Sequence, residues 1–207
     1  MTSPLQIITI SDFNEFKYKE KKSIFIGQCY PVSNENDIDN IHKKTKKKYF
    51  DAAHHCYAYN LVDGQNRYSD DGEPTGTAGV RILNAISHFN LTNILVLVIR
   101  YFGGTKLGIG SLGKAYFYTA KELLETSNKI TKSRYYKLKI FFPYELSNQV
   151  HKLLSQHTAK IIDIFFSPHP GIELNLKFND YENFSEKLQK ISYNKIITEI
   201  INDKIYI

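Results

Sequence analysis

The segment Ile94 to Tyr101, ILVLVIRY, constrains the fold more than any other part of the chain. It lacks the polar/apolar alternation of a half-solvated strand, so it reads as a strand buried on both faces. Such a strand needs a layer of structure on each side. Its apolar stretch, Ile94 to Ile99, is far short of the ~18 residues of a membrane span. The run ends in Gly103-Gly104, and a long helix then fits from about Leu112 to Thr126.

The neighbouring segments supply the other elements of a first domain. Phe25 to Pro31 is strand-like and opened by Lys19 to Lys22, and Asn34 to Lys48 reads as a helix with Ser33 as N-cap. His55 to Leu61 reads as a strand, with His54, Cys56 and Ala58 on one face and His55, Tyr57 and Tyr59 on the other. Val62 to Gly76 is too polar and turn-rich to predict a regular element, and a helix fits Ala78 to Phe89. The polar stretch Ser127 to Ser133 marks a boundary between domains at 1–130 and 134–207. The second domain reads as strand Tyr135 to Pro143, helix Glu145 to His157, strands Lys160 to Phe166 and Gly171 to Phe178, helix Asp180 to Ile191 and strand Lys195 to Ile207. The two middle strands are joined by the turn Ser167-Pro168-His169-Pro170-Gly171. That order, βαββαβ, is the ferredoxin-like unit, so the fold class is α+β.

Composition narrows the function classes. The hydrophobic fraction is 42%, with 15 Tyr and 13 Phe, so a core can be buried. Cys29 and Cys56 are the two cysteines, and they imply buried apolar positions rather than a disulfide framework. Residues 1–25 show no apolar signal-peptide core, so the cytoplasm is the expected location and no membrane partner is expected. The net charge of +6 permits polyanion binding and is spread over both domains. The dense run Lys43, Lys44, Lys46, Lys47, Lys48 reads as a solvated helix face.

Three segments could carry chemistry. In the first, Arg100 to Lys114, a buried strand runs through Gly103, Gly104, Gly108 and Gly110 into a helix. Glycines allow close backbone approach, and helix-start amides favour anions. Arg100, Lys106 and Lys114 are the cations for a phosphate or similar anion; the plainer reading is a tight packed turn with solvated cations. The Walker A pattern is absent, and Gly108-Ile-Gly110-Ser-Leu-Gly113 lacks the strand spacing and later acidic residue of a dinucleotide site. The second segment, Ser69 to Gly79, holds Asp70, Asp71 and Glu73, either as acid/base groups or as turn-closing and capping residues. The third is His54-His55-Cys56, where His54 could pair with a carboxylate; no C-x-x-C or H-x-x-x-H completes a zinc site, so neither metal nor cofactor is expected. His54, the 70–73 loop and the Gly103–Gly110 turn are expected to lie close together.

These segments together resemble the YigZ/IMPACT family. The matching residues are Lys22 to Gly27, Asp51 to His54 with Cys56 to Tyr59, Ser69 to Gly79 and Arg100 to Gly110. Arg81 stands where that pattern usually has proline, Ser111 where it has glycine, and Gly113-Lys114 where it has Val-Arg. The resemblance implies a first domain like the second domain of a small-subunit ribosomal protein, with a left-handed β-α-β arrangement. It implies a second domain like the C-terminal plaits of elongation factor G. Eukaryotic members regulate translation, through an additional N-terminal domain not expected here.

Two functions follow. The first is a translation-associated binding protein that contacts RNA or a ribosome-associated partner. The second is an enzyme acting on a small phosphorylated substrate, with His54, Asp70, Asp71 and Glu73 as acid/base groups.

Overall fold

The computed structural model describes residues 3–166, 170–192 and 195–207. It contains two separate five-stranded sheets. The chain forms two compact units: Ile7–Thr131, and Lys132–Ile207 together with the described residues up to Gln6. The fold is α+β with antiparallel sheets.

The first unit is built around the apolar run. Its strands are β2 (Asn14–Glu20), β3 (Ser23–Pro31), β4 (His54–Asn60), β5 (Asn66–Ser69) and β6 (Ile94–Tyr101), in the order β2-β3-β6-β4-β5. Its helices are α1 (Glu35–Lys48), α2 (Gly79–His88) and α3 (Ile109–Glu125). Strand β6 is central, and its two faces go to different cores. Val96 and Val98 pack with Phe25, Cys56, Ile82 of α2 and Tyr116 of α3. Leu95, Leu97 and Ile99 pack with Ile26, Tyr59 and Ile38 of α1. The absence of alternation is thus explained by helices on both faces of one strand. β3 and β4 both lie antiparallel to β6, so they run parallel to each other with α1 connecting them.

Several boundaries differ from expectation. The α1 cap is Asn34, whose Oδ1 accepts from the Asp37 amide at 3.0 Å, and not Ser33. Asn34 has the extended backbone that a cap requires (φ −159, ψ 170). Residues 66–69 form edge strand β5, whose mostly exposed side chains leave no apolar alternation to read. β1 (Gln6–Ile10) and β2 precede the first expected strand. The polar stretch 127–133 does not stay irregular, because β7 (Lys129–Phe141) starts inside it.

In the second unit β7 is followed by a 3₁₀ turn (Tyr144–Leu146), α4 (Ser147–Leu154), β8 (Ala159–Phe165), β9 (Gly171–Lys177), a second 3₁₀ turn (Phe178–Asp180), α5 (Tyr181–Ser192) and β10 (Ile197–Tyr206). The strand order is β10-β7-β9-β8, with β1 also on β7. Leu138, Ile140, Ile172, Leu174 and Leu176 turn one sheet face toward Val150, Leu153, Phe184 and Leu188. The alternate positions are polar: Lys137 and Lys139 of β7 pair with Glu173 of β9 at 2.6 and 3.6 Å. The turn expected at 167–171 lies largely outside the described residues. No helix among the described residues is long and apolar enough to cross a membrane.

Candidate functional site

The acidic loop joins β5 to α2, and each of its three carboxylates has a different partner set. Asp70 accepts from the amides of Gly76, Ala78 and Gly79 at 2.8–2.9 Å, which closes the loop and caps α2. A Cβ on Gly79 would lie 2.8 Å from the Ser69 backbone, so only glycine admits this close return. Asp71 accepts from the His55 amide at 2.6 Å and from Lys46 Nζ at 3.0 Å. Burial alone would push the Asp71 carboxyl up, but those two donors outweigh it and hold the group below its ordinary value. Glu73 is buried, and its Oε1 accepts from Arg100 Nη1 at 2.6 Å and from the Tyr116 hydroxyl at 2.7 Å.

His54 lies between these groups. Its Nδ1 is 2.8 Å from the Asp71 carbonyl, which can only accept, so Nδ1 carries the proton. Its Nε2 is 3.8 Å from Glu73 Oε2. The Cys56 thiol donates to the Asp70 carbonyl at 3.0 Å, and burial pushes it far up, out of reach of thiolate chemistry. Tyr116 is likewise held neutral by burial. Among the described residues no three His, Cys, Asp or Glu gather as a group able to hold a metal ion.

The glycine turn begins beside this network. Arg100 faces His54 across the β4–β6 ladder, and its guanidinium is 5.5 Å from the Phe25 and Phe102 ring centroids. It shares the buried face of Val96 and Val98, so its charge goes to Glu73 under the helices. It is therefore not an exposed cation of the turn. The Ser23 hydroxyl accepts from Arg100 Nη2 at 3.4 Å and from the Gly103 amide at 3.3 Å, linking the network to the turn. A Cβ on Gly103 would fall 2.0 Å from the Lys22 backbone, so this position admits only glycine. Gly104 and Gly108 have φ of +80 and +83. Gly108 caps α3 without a side-chain bond, and a Cβ on Gly110 would meet open space.

Lys106 and Lys114 are exposed, as is Arg81 on α2. None of the three has a carboxylate partner among the described residues. Arg81 and Lys114, with Gly110 and Gly113, line a cleft of about 460 Å³ between α2 and α3. Thr77, at the end of the acidic loop, lines it too, so loop and turn converge there. Sequence reasoning missed Tyr116, Asn84 and Phe117. A mid-helix aromatic or amide has no local signal that separates core from site, and only the packing of α2 beside α3 assigns them.

The Impact N-terminal domain model matches residues 21–124. The chain is similar to an IMPACT family member of Haemophilus influenzae, 30% identical over 195 residues, covering 90% of this chain and 92% of that one. It is 28% identical to the IMPACT family member YvyE of Bacillus subtilis, covering 95% of this chain and 87% of the relative. The IMPACT family member YigZ of Escherichia coli is 30% identical over 178 residues, 83% of this chain and 86% of that one. A crystal structure of a hypothetical protein matches with a TM-score of 0.73 and 25% identity, over 97% of this chain and all of the other. On these matches the chain belongs to the IMPACT family.

Proposed function

We propose that this chain is a cytoplasmic, translation-associated binding protein that contacts RNA through the start of α3 and the lysines around it. The observation that carries the reading is a contrast in charge. Every carboxylate of the 70–73 loop is engaged by protein donors, while Lys106, Lys114 and Arg81 have no carboxylate partner among the described residues. Free cations beside a glycine-opened helix start suit phosphate. Asp70, Asp71 and Glu73 are each held by donors of the fold, which leaves them fewer lone pairs for acid/base work.

The architecture supports the same reading. The order β7-α4-β8-β9-α5-β10 with sheet order β10-β7-β9-β8 suits a ferredoxin-like plait. The parallel pair β3 and β4 joined through α1 suits a β-α-β unit like that of the ribosomal protein domain. The name IMPACT is shared by eukaryotic relatives, and the family resemblance ties such proteins to translation.

The test is co-sedimentation of the purified chain with ribosomes at about 50 mM salt, followed by a salt wash. The reading predicts pelleting that salt reverses. A chain that stays in the supernatant at low salt, and does not shift an RNA band, rejects it.

A further inference from the structure

The cleft between α2 and α3 has a composition that the RNA reading alone does not require. Its wall holds two cations, Arg81 from α2 and Lys114 from α3, and no carboxylate. Like charges in one cleft repel, and an anion between them removes that repulsion. Gly113 gives Arg81 room: a Cβ there would lie 3.3 Å from Arg81 Nε, closer than ordinary contact, and the side chain would have to shift by a few tenths of an ångström. The rest of the wall is Ile109, Phe117 and the bare backbone of Gly110, with Thr77 and Asn84 as neutral polar groups. A site for inorganic phosphate alone would not need an aromatic and aliphatic wall. The volume, about 460 Å³, is that of a small-ligand pocket and too narrow for a duplex.

We propose that this cleft holds one phosphorylated nucleotide unit of single-stranded RNA. The phosphate lies between Arg81 and Lys114, near the first amides of α3. The base stacks on Phe117, and Asn84 pairs with its edge. This rests on the RNA-binding reading and adds to it a strand state and a contact to the base.

The test uses the full chain and calorimetric titration with adenosine 5′-monophosphate and uridine 5′-monophosphate, with adenosine and inorganic phosphate as controls. The monophosphates should bind at least roughly ten-fold more tightly than either control, and single-stranded RNA should displace them where duplex does not. R81A and K114A should each weaken monophosphate binding by roughly ten-fold. F117L should weaken monophosphates but not inorganic phosphate. Because Phe117 also packs against the core, its melting temperature is measured alongside, and R81A carries the test if F117L does not fold. Inorganic phosphate binding as tightly as the monophosphates overturns the base contact, and unchanged affinity in R81A and K114A overturns the site. RNA binding that survives while monophosphates fail to bind rejects the cleft and leaves the RNA reading standing. Monophosphate binding with no RNA or ribosome binding rejects the RNA reading and, with it, the assignment of the nucleotide to an RNA strand.

Discussion

Glu73 and Arg100 form the ion pair under the α2 and α3 helices, with side chains only 3% and 6% exposed. Removing one charge of such a pair leaves the other desolvated and alone, which costs about 3–5 kcal/mol. Glu73→Gln should therefore lower unfolding free energy by about that amount in urea titration, and a loss below about 1 kcal/mol would contradict the role given to the pair. Asp71 makes a pH-dependent contribution. Its folded-state pKa is depressed, so its stabilisation is full above the unfolded value near 4 and disappears as pH falls through the lower folded value. The stability gap between wild type and Asp71→Asn should be constant at neutral pH and close on the acid side of about pH 4; a gap that persists at low pH would contradict it. Cys56, buried and held as thiol, should resist aromatic disulfide reagents in the native protein and react only on unfolding. None of these partners could be named beforehand. Asp70, Asp71 and Glu73 look alike in sequence, and only the approach of α2, β4 and β6 makes one a cap, one a latch on α1 and one a buried counter-ion.

Helix α2 starts with no side-chain bond from its own cap residue Ala78, and Asp70 supplies the acceptor from across the loop. Asp70→Ala should cost about 1–2 kcal/mol, read from the same denaturation curves, because a cap is lost and loop amides lose their acceptor. An unchanged midpoint would show that water substitutes for the carboxylate. Elements with an apolar face were legible: β6, α1, α2, α3 and the strands and helices of the second unit are all present near their expected positions. The missed strands are β1, β2 and β5, of which β2 and β5 lie at the two edges of the first unit's sheet. β5 is largely solvated, so backbone pairing fixes it and hydrophobic period cannot report it, whereas β2 turns Phe16 and Tyr18 toward the core between polar residues, an alternation that was there to be read. The start of β7 reads as a polar break because Ile130 is its one apolar residue among Lys129, Thr131, Lys132 and Ser133. The glycine turn was legible as a turn. That Arg100 faces inward follows from the β6 register, in which it shares a face with Val96 and Val98.

At the scale of the whole molecule, a charge of +6 permits contact with a polyanion without saying where. The contact proposed above lies at the glycine turn, where Lys106 and Lys114 have no carboxylate partner among the described residues while the nearby carboxylates are engaged. The most direct test compares single-stranded RNA binding over a salt series for wild type and the double variant Lys106→Ala, Lys114→Ala. Each lost phosphate contact should flatten the slope of log affinity against log salt by roughly 0.7–0.9. The double variant should bind more weakly at low salt, with a flatter slope and an unchanged melting temperature, since solvated lysines add little stability. Equal affinity and equal slope in the two proteins would contradict RNA contact at this turn.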